Sequence, residues 1–234
     1  MNTYVFPAEQ LAAEAAKALN AEFSALKGSR FLFLSSGGSS LALLDLLDAS
    51  NFGPWSAVAV LDERFSPDPA VSNFAQLAKT RFFAAAAQNG CSFIDTMPKA
   101  GETIVDLGAR FEKALREWLA GGGPVVATIG IGPDAHTSGI MPYPEDAALF
   151  ARMFDDGSRW TIGYDTGPKS PYPLRITVTL PFLRSIRYSL SYVKGADKKD
   201  ALAKLFAEGG ATNESPCRIL RELPRSDIFT DQQV

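Results

Sequence analysis

The sequence has little of the side chains that bind metal ions or cross-link a chain. Of its 234 residues, one is histidine and two are cysteine. Cys91 and Cys217 have neither a CxxC spacing nor a neighbouring histidine, so the pattern indicates neither a metal site nor a disulfide framework. We expect both thiols to be reduced and to take no part in chemistry, and we expect no metal and no cofactor.

An excess of positive charge and long apolar runs are also lacking. With 23 Lys and Arg against 26 Asp and Glu, the net charge is -3, which gives no basic field to attract nucleic acid or anionic lipid. Residues 1–7 lack the charged start and apolar core of a secretory signal, and no segment approaches the length of a membrane span. We therefore expect a cytoplasmic protein without nucleic-acid or membrane partners, in which a few basic residues hold any anionic ligand.

What the chain does have is an alternation of strand-like and helix-like patterns. Leu11, Ala15, Leu19 and Phe23, for example, recur every four residues as in an amphipathic helix. The predicted strands are 30–35, 55–61, 125–131, 174–180 and 187–193, with a less marked one at 90–97 and short pieces at 218–220 and 228–229. The predicted helices are 8–27, 41–47, 72–83, 102–120, a short one within 144–159 and one ending at Phe206, while 164–173 is predicted as a loop and 181–184 as a turn.

This alternation predicts a three-layer α/β/α fold with a mainly parallel, Rossmann-like sheet and helices on both faces. A chain of 234 residues that is 46% hydrophobic and 21% charged suits one large α/β domain. The sequence contains no internal repeat, low-complexity tract or long linker. We therefore predict a single domain over residues 1–234.

The stretch from Val125 to Pro142 carries the one histidine. A nearly continuous apolar run leads into a turn-rich loop with Asp134 and His136. Ligands of open α/β sheets bind outside the carboxyl ends of the strands, where this loop is expected to lie. A lone histidine is more often a surface or hydrogen-bonded loop residue, but this position favours a chemical role. Asp134 could orient the ring and stabilise its protonated form.

Polar residues follow two other predicted strands. Ser35–Ser40 is a Gly/Ser loop between a strand and a helix, where Gly37 and Gly38 would let backbone N–H groups approach a phosphate, and Ser39 or Ser40 could cap the helix. A plain strand-to-helix connection is an equally good interpretation. Asp62-Glu-Arg64 follows the second strand and is either a solvated strand end or part of a site.

Basic residues complete the set of candidates. Lys198 follows the strand 187–193, and Arg175 lies on the strand 174–180. Together with Arg64 they offer cations for an anionic substrate. For Arg64 and Arg175 the alternative is a structural ion pair with a carboxylate such as Asp62.

The same segments resemble one enzyme family, which contains 6-phosphogluconolactonase and the glucosamine-6-phosphate deaminases. The resemblance covers about residues 6–231, and its motifs follow in the same order as in that family. These motifs are Gly37-Gly-Ser39, Asp62-Glu-Arg64 with Ser72-Asn73, Gly130-Ile-Gly-Pro-Asp-Ala-His-Thr137 with Pro142, Pro168-Lys-Ser-Pro171 with Arg175-Ile-Thr177, and Gly195-Ala-Asp-Lys198.

The resemblance implies an activity and a role for each candidate. The activity is hydrolysis of 6-phospho-D-glucono-1,5-lactone to 6-phosphogluconate in the oxidative pentose phosphate pathway, by a monomer or a homodimer. His136 would be the general base that activates water and then the acid, with Asp134 as its orienting partner. The substrate-binding residues would be Gly37, Gly38, Ser39, Asp62, Arg64, Arg175 and Lys198.

Within that family, Met141 favours the lactonase branch. The deaminases carry a glutamate five residues after the motif histidine, where this chain has Met141, and an aromatic residue in the place of Arg64. Two alternatives stay open: an amino-sugar-phosphate deaminase or isomerase, and a non-catalytic sugar-phosphate sensor. A sensor would need an attached DNA-binding segment, for which we expect no room before the first strand, and it would have no need for His136.

Two departures from the family pattern lie in the histidine loop. Ala135 stands where the family usually has glycine, so a positive φ there would cost about 1 kcal/mol. Ser138-Gly-Ile-Met141 stands in place of the usual Ala-Ser-Leu-Phe. We expect these changes to affect substrate preference and rate more than the class of reaction.

Overall fold

The computed structural model describes residues 1–233. Its strands are β1 (Asn2–Val5), β2 (Phe31–Ser35), β3 (Ser56–Val60), β4 (Asp62–Arg64), β5 (Ser92–Phe93), β6 (Val125–Thr128), β7 (Thr161–Asp165), β8 (Leu174–Val178), β9 (Tyr188–Val193) and β10 (Ser226–Thr230). Its α-helices are α1 (Leu11–Leu26), α2 (Leu41–Leu44), α3 (Asn73–Ala78), α4 (Arg81–Gln88), α5 (Ile104–Leu119), α6 (Ala147–Phe154), α7 (Leu180–Arg184) and α8 (Lys199–Phe206). Short 3-10 turns lie at Gly38–Ser40, Ala49–Asn51, Gly167–Lys169, Ala196–Lys198 and Pro216–Arg221.

A parallel sheet forms the middle layer. Its strand order is β1-β10-β9-β6-β2-β3-β5, and each neighbouring pair is parallel. Side chains alternate across it: Phe31 and Phe33 of β2 pack with α1 to α4, whereas Leu32 and Leu34 pack with α5 to α8. The predicted three-layer fold with a mainly parallel sheet is thereby confirmed.

The structure contains a second sheet, which is antiparallel and has the order β4-β8-β7. The sequence prediction was wrong about two segments of this sheet. The predicted strand 174–180 lies in this sheet as β8, outside the parallel one. Asp62-Glu-Arg64 was expected as a strand end and forms β4, in which Asp62 pairs with Thr177 and Arg64 with Arg175. Only Leu61 separates β3 from β4, so the chain passes directly from one sheet into the other.

Strand β7 was not predicted: residues 161–163 had no assignment from the sequence, and residues 164 and 165 belong to the predicted loop. Gly163 interrupts its apolar pattern, and the fold requires glycine there. A Cβ on Gly163 would overlap the backbone of Ile104, the first residue of α5. The helix therefore packs directly against the backbone of this edge strand.

Smaller differences have local causes. The predicted helix 72–83 is two helices, because the Thr80 hydroxyl accepts a hydrogen bond from the Phe83 N–H and caps α4. Residues 181–184, predicted as a turn, belong to α7, which has Pro181 in its first turn. The strand predicted at 125–131 ends at Thr128, and the one at 90–97 is reduced to Ser92–Phe93.

The beginning of the chain and its last strand lie side by side. β1 pairs with β10, the Asn2 amide donates to Asp227 at 2.8 Å, and Tyr4 stacks on Phe229. All of β1 is exposed, so it carries no apolar pattern that could have predicted it. The single domain over residues 1–234 stays a prediction, which this pairing of distant segments supports.

Both cysteines are free and buried. Burial raises the pKa of Cys91 to about 11 and that of Cys217 to about 12, so both thiols stay protonated at neutral pH. Within residues 1–233, no helix is long and apolar enough to cross a membrane.

Candidate active site

The candidate site lies where four neighbouring central strands end. The loops after β9, β6, β2 and β3 carry the polar residues that the sequence singled out. In the sheet, β2 lies between β3, the next strand along the chain, and β6. The strand order therefore reverses between β2 and β6, and the loops that follow these two strands face each other. A crevice at such a position is the usual ligand site of an open α/β sheet.

The loop after β6 is tightly closed by its own backbone. The Gly132 N–H donates to the His136 carbonyl at 2.9 Å, and the Ala135 N–H donates to the Gly132 carbonyl at 3.0 Å. The Thr137 hydroxyl donates to the Gly130 carbonyl at 2.7 Å. These bonds hold the histidine at a fixed place over the strand end.

Asp134 and His136 form a hydrogen-bonded pair. The His136 Nδ1 and an Asp134 carboxylate oxygen are 2.6 Å apart, and the same oxygen accepts the His136 backbone N–H at 3.1 Å. Burial by itself would raise the pKa of Asp134, but the hydrogen bonds from His136 outweigh it and hold that pKa below its usual value. Asp134 is therefore ionised at neutral pH, and its partner ring, 33% exposed, stays accessible to water.

Gly132 leaves the space that the pair occupies. A Cβ at this position would overlap the His136 ring and lie 2.8 Å from an Asp134 carboxylate oxygen. The backbone at Gly132 is outside the left-handed region, so the requirement for glycine comes from the neighbouring side chains.

Ala135 adopts a positive φ, which is costly for a residue that carries a side chain. Its φ is 70°, its side chain is fully buried, and Ser138 follows with a φ of 50°. Neighbouring segments hold this backbone: the Cys217 N–H donates to the Ala135 carbonyl at 2.9 Å, and the Thr177 hydroxyl donates to the Ser138 carbonyl. Strain of this kind persists only where surrounding contacts over-determine the conformation.

The Gly/Ser loop after β2 faces the histidine loop. Gly38 has a φ of 63°, and a Cβ on Gly37 would overlap the Asn73 side chain. Neither Ser39 nor Ser40 caps α2, contrary to the suggestion from the sequence. Ser40, the residue before α2, already has helical backbone angles (φ -69°, ψ -19°), whereas a capping residue is typically extended.

Asp62 and Arg175 form a buried ion pair. The Arg175 Nη1 donates to an Asp62 carboxylate oxygen at 2.9 Å, and the two side chains are only 8% and 9% exposed. The Arg175 Nη2 donates to the Ser170 hydroxyl at 3.0 Å. The alternative of a structural ion pair therefore describes the contacts of Arg175.

Arg64 and Lys198 have different surroundings. The Arg64 Nη1 donates to the Val71 carbonyl at 3.1 Å, and in the described part of the chain no carboxylate forms an ion pair with its guanidinium. The Lys198 amine lies 3.1 Å from Asp197, the residue before it, which is largely exposed. These two cations are thus the less neutralised ones at the site.

Glu63 is a buried carboxylate next to the site, and it holds neighbouring segments together by hydrogen bonds. Its fully buried carboxylate accepts five hydrogen bonds: one oxygen accepts from the N–H groups of Arg64 and Asn73, the other from the Phe74 N–H and two hydroxyls, those of Ser72 and Thr96. Burial raises the pKa of Glu63, and the hydrogen bonds oppose that effect. Glu63 thereby joins β4 to the start of α3, which carries Asn73.

One cavity of about 180 Å³ brings the predicted residues together. Of the nine candidates, all but Asp134 line it, and Asp134 reaches it through His136. Three further lining residues with polar side chains, Ser36, Asn73 and Ser138, were given no role from the sequence. Asn73 belongs to the Ser72-Asn73 motif, while Ser36 and Ser138 lie in the Gly/Ser loop and the histidine loop. Among residues 1–233 no cluster of His, Cys, Asp or Glu could hold a metal ion, and the metal-free site stays a prediction.

The fold and this cavity define an α/β protein with a histidine–carboxylate pair beside two little-neutralised cations. A family model described as glucosamine-6-phosphate isomerases/6-phosphogluconolactonase matches residues 7–228, and the chain belongs to this family. The chain is 30% identical over 211 residues to a 6-phosphogluconolactonase of Nostoc, covering 86% of this chain and 80% of the relative. It is 29% identical over 205 residues to a 6-phosphogluconolactonase of Mycobacterium tuberculosis, covering 80% and 76%.

Solved structures agree on the fold. The crystal structure of a 6-phosphogluconolactonase from Shewanella baltica matches with a TM-score of 0.76 and 18% identity, covering 98% of this chain and 96% of that one. At this level of identity the likeness concerns the fold alone.

Glu63→Gln tests whether the buried carboxylate organises the site. An amide offers one acceptor oxygen, so the hydroxyls of Ser72 and Thr96 can turn to accept from the new NH2 group, but the Phe74 N–H loses its partner. We expect the free energy of unfolding to fall by about 1–3 kcal/mol, measured by urea denaturation. Glu9→Gln, at an exposed position, serves as the control. Equal stability of Glu63→Gln and wild type would contradict this role.

Proposed function

We propose that the chain is a lactone hydrolase that converts 6-phospho-D-glucono-1,5-lactone to 6-phosphogluconate. The observation that carries the proposal is the His136–Asp134 pair, 2.6 Å apart, at a cavity that also contains Arg64 and Lys198. Such a site offers a base and an anion-binding region at once. The family and the names of the relatives support the same activity.

His136 is the proposed general base. With its Nδ1 engaged by the ionised Asp134, the neutral ring keeps its proton on Nδ1 and its lone pair on Nε2. Nε2 takes a proton from water as the water oxygen bonds to the lactone carbonyl carbon. When the bond from this carbon to the ring oxygen breaks, the imidazolium returns that proton to the departing oxygen. An ester carbonyl in a lactone is already reactive, so one base and good positioning suffice.

The phosphate end is assigned to the opposite part of the cavity. Arg64 and Lys198 supply the positive charge, and the backbone of Gly37, Gly38 and Ser39 lines the same cavity. Arg175 and Asp62 neutralise each other. We therefore assign to Arg175 the task of placing Asp62 in the cavity wall.

The two other functions are less well supported. A deaminase of this family carries a glutamate at the position of Met141, which here is buried in the apolar core and does not line the cavity. A sugar-phosphate sensor would use the cations but not the His136–Asp134 pair. The cytoplasmic location, the pathway, and the choice between monomer and homodimer stay predictions.

Replacing His136 by Ala tests the proposed base. We expect the rate of enzymatic lactone hydrolysis to fall by at least about 100-fold, measured with freshly generated 6-phospho-D-glucono-1,5-lactone and corrected for spontaneous hydrolysis. The thermal midpoint should stay close to that of wild type, because the ring is partly exposed. A variant that keeps most of its activity would refute the role of His136. A folded wild type without activity would refute the proposed reaction and favour the sensor.

Gly132→Ala tests whether the position of the ring matters, without removing it. The new methyl group displaces the His136 ring from Asp134, and we expect kcat/KM to fall by about 100-fold with little loss of stability. Gly157→Ala is the matched control, since its Cβ would meet open space and its φ is not positive. Equal activities of the two alanine variants would show that the 2.6 Å pairing of His136 with Asp134 has no part in catalysis.

A further inference from the structure

Tyr172 lies over Arg64 at the edge of the candidate site. The guanidinium carbon of Arg64 is 5.1 Å from the centre of the Tyr172 ring, a distance at which a cation and an aromatic face attract each other. Tyr172 is 39% exposed and does not itself line the cavity. Neither the family motifs nor the proposed mechanism gives this tyrosine a role.

The surroundings of Arg64 explain why it needs such a contact. Arg64 and Arg175 occupy paired positions on β4 and β8, but only Arg175 has a carboxylate partner among residues 1–233. Arg64 has one hydrogen bond from its guanidinium, to Val71, and its Nε is buried without a hydrogen-bond partner. A long side chain with so few fixed contacts would lose conformational freedom on binding an anion, which weakens binding.

The segment that carries Tyr172 is itself firmly placed. The Thr166 N–H donates to the Pro173 carbonyl at 2.8 Å and closes the loop. Inside the loop, the Tyr172 N–H donates to the Ser170 hydroxyl at 3.2 Å, and the same hydroxyl accepts from Arg175 at 3.0 Å. The buried Asp62–Arg175 pair therefore anchors the loop that holds the aromatic ring over the other arginine.

We propose that Tyr172 is a positioning residue that holds the Arg64 guanidinium ready for the phosphate of the substrate. This inference rests on the proposed function, in which Arg64 binds that phosphate. Tyr172 acts through Arg64 and makes no contact with the reacting carbonyl. It therefore affects the affinity for the phosphorylated substrate and leaves the chemical step unchanged.

The test is a double-mutant cycle of Tyr172→Ala and Arg64→Ala, read from lactone hydrolysis. In the wild-type background we expect Tyr172→Ala to raise KM about two- to five-fold, the strength of an exposed cation–π contact, with kcat unchanged. In the Arg64→Ala background the same substitution should leave kcat/KM unaltered. Tyr172→Phe keeps the aromatic face and should restore KM to near its wild-type value.

Tyr4→Ala is the matched control, because Tyr4 is 40% exposed and lies on the far edge strand β1. It should leave KM as it is. The inference is overturned if Tyr172→Ala leaves KM unaltered, if it lowers kcat at constant KM, or if its effect is the same when Arg64 is absent. The last result would indicate direct contact between the tyrosine and the substrate.

The same cycle can be read without turnover, from the dissociation constant of 6-phosphogluconate measured by calorimetry. An inactive wild type would refute the proposed function alone, while a Tyr172 effect on 6-phosphogluconate binding that depends on Arg64 would still support the inference. Equal binding by wild type and Tyr172→Ala would overturn the inference whatever the activity.

Discussion

The hydrogen bond between Asp134 and His136 is the contact on which the site depends, and it exists because one loop is bent sharply. The two residues are separated only by Ala135, which has a positive φ, and their side chains meet across this bend. Residues outside the loop hold the bend by hydrogen bonds: the Cys217 N–H donates to the Ala135 carbonyl, and the Thr177 hydroxyl donates to the Ser138 carbonyl. The second sheet, which contains Thr177, thus supports a loop that belongs to the first.

Charge at the site is distributed in a way that frees two cations. The carboxylates nearest to the cavity are already satisfied, Asp62 by Arg175 and Glu63 by five N–H and O–H donors. Arg64 is therefore left without a carboxylate partner among residues 1–233, and Lys198 pairs only with the largely exposed Asp197. In a protein with a net charge of -3, this local arrangement takes the place of a basic surface.

The sequence could predict the parallel sheet and the loops that gather at its strand ends. Those strands are short apolar runs between Gly and Pro, and their carboxyl ends meet at one edge by the geometry of parallel sheets. The sequence could not predict β4 as a strand, because Asp62-Glu-Arg64 is polar and its partners come from distant parts of the chain, namely α3, β8 and Thr96. The sequence also left open whether Arg64 or Arg175 forms an ion pair with Asp62. The answer depends on how β4 and β8 pair, which places Arg175 beside Asp62.

The orientation of the single imidazole tests the central claim most directly. Because the chain has one histidine, 15N NMR of the ring nitrogens gives one unambiguous pair of signals at neutral pH. We expect the neutral ring to carry its proton on Nδ1, the Nε2 signal to shift when 6-phosphogluconate is added, and the Nδ1–H preference to weaken in Asp134→Asn. A ring protonated on Nε2, or one that responds neither to the ligand nor to the substitution, would contradict the account of His136 as a base held by Asp134.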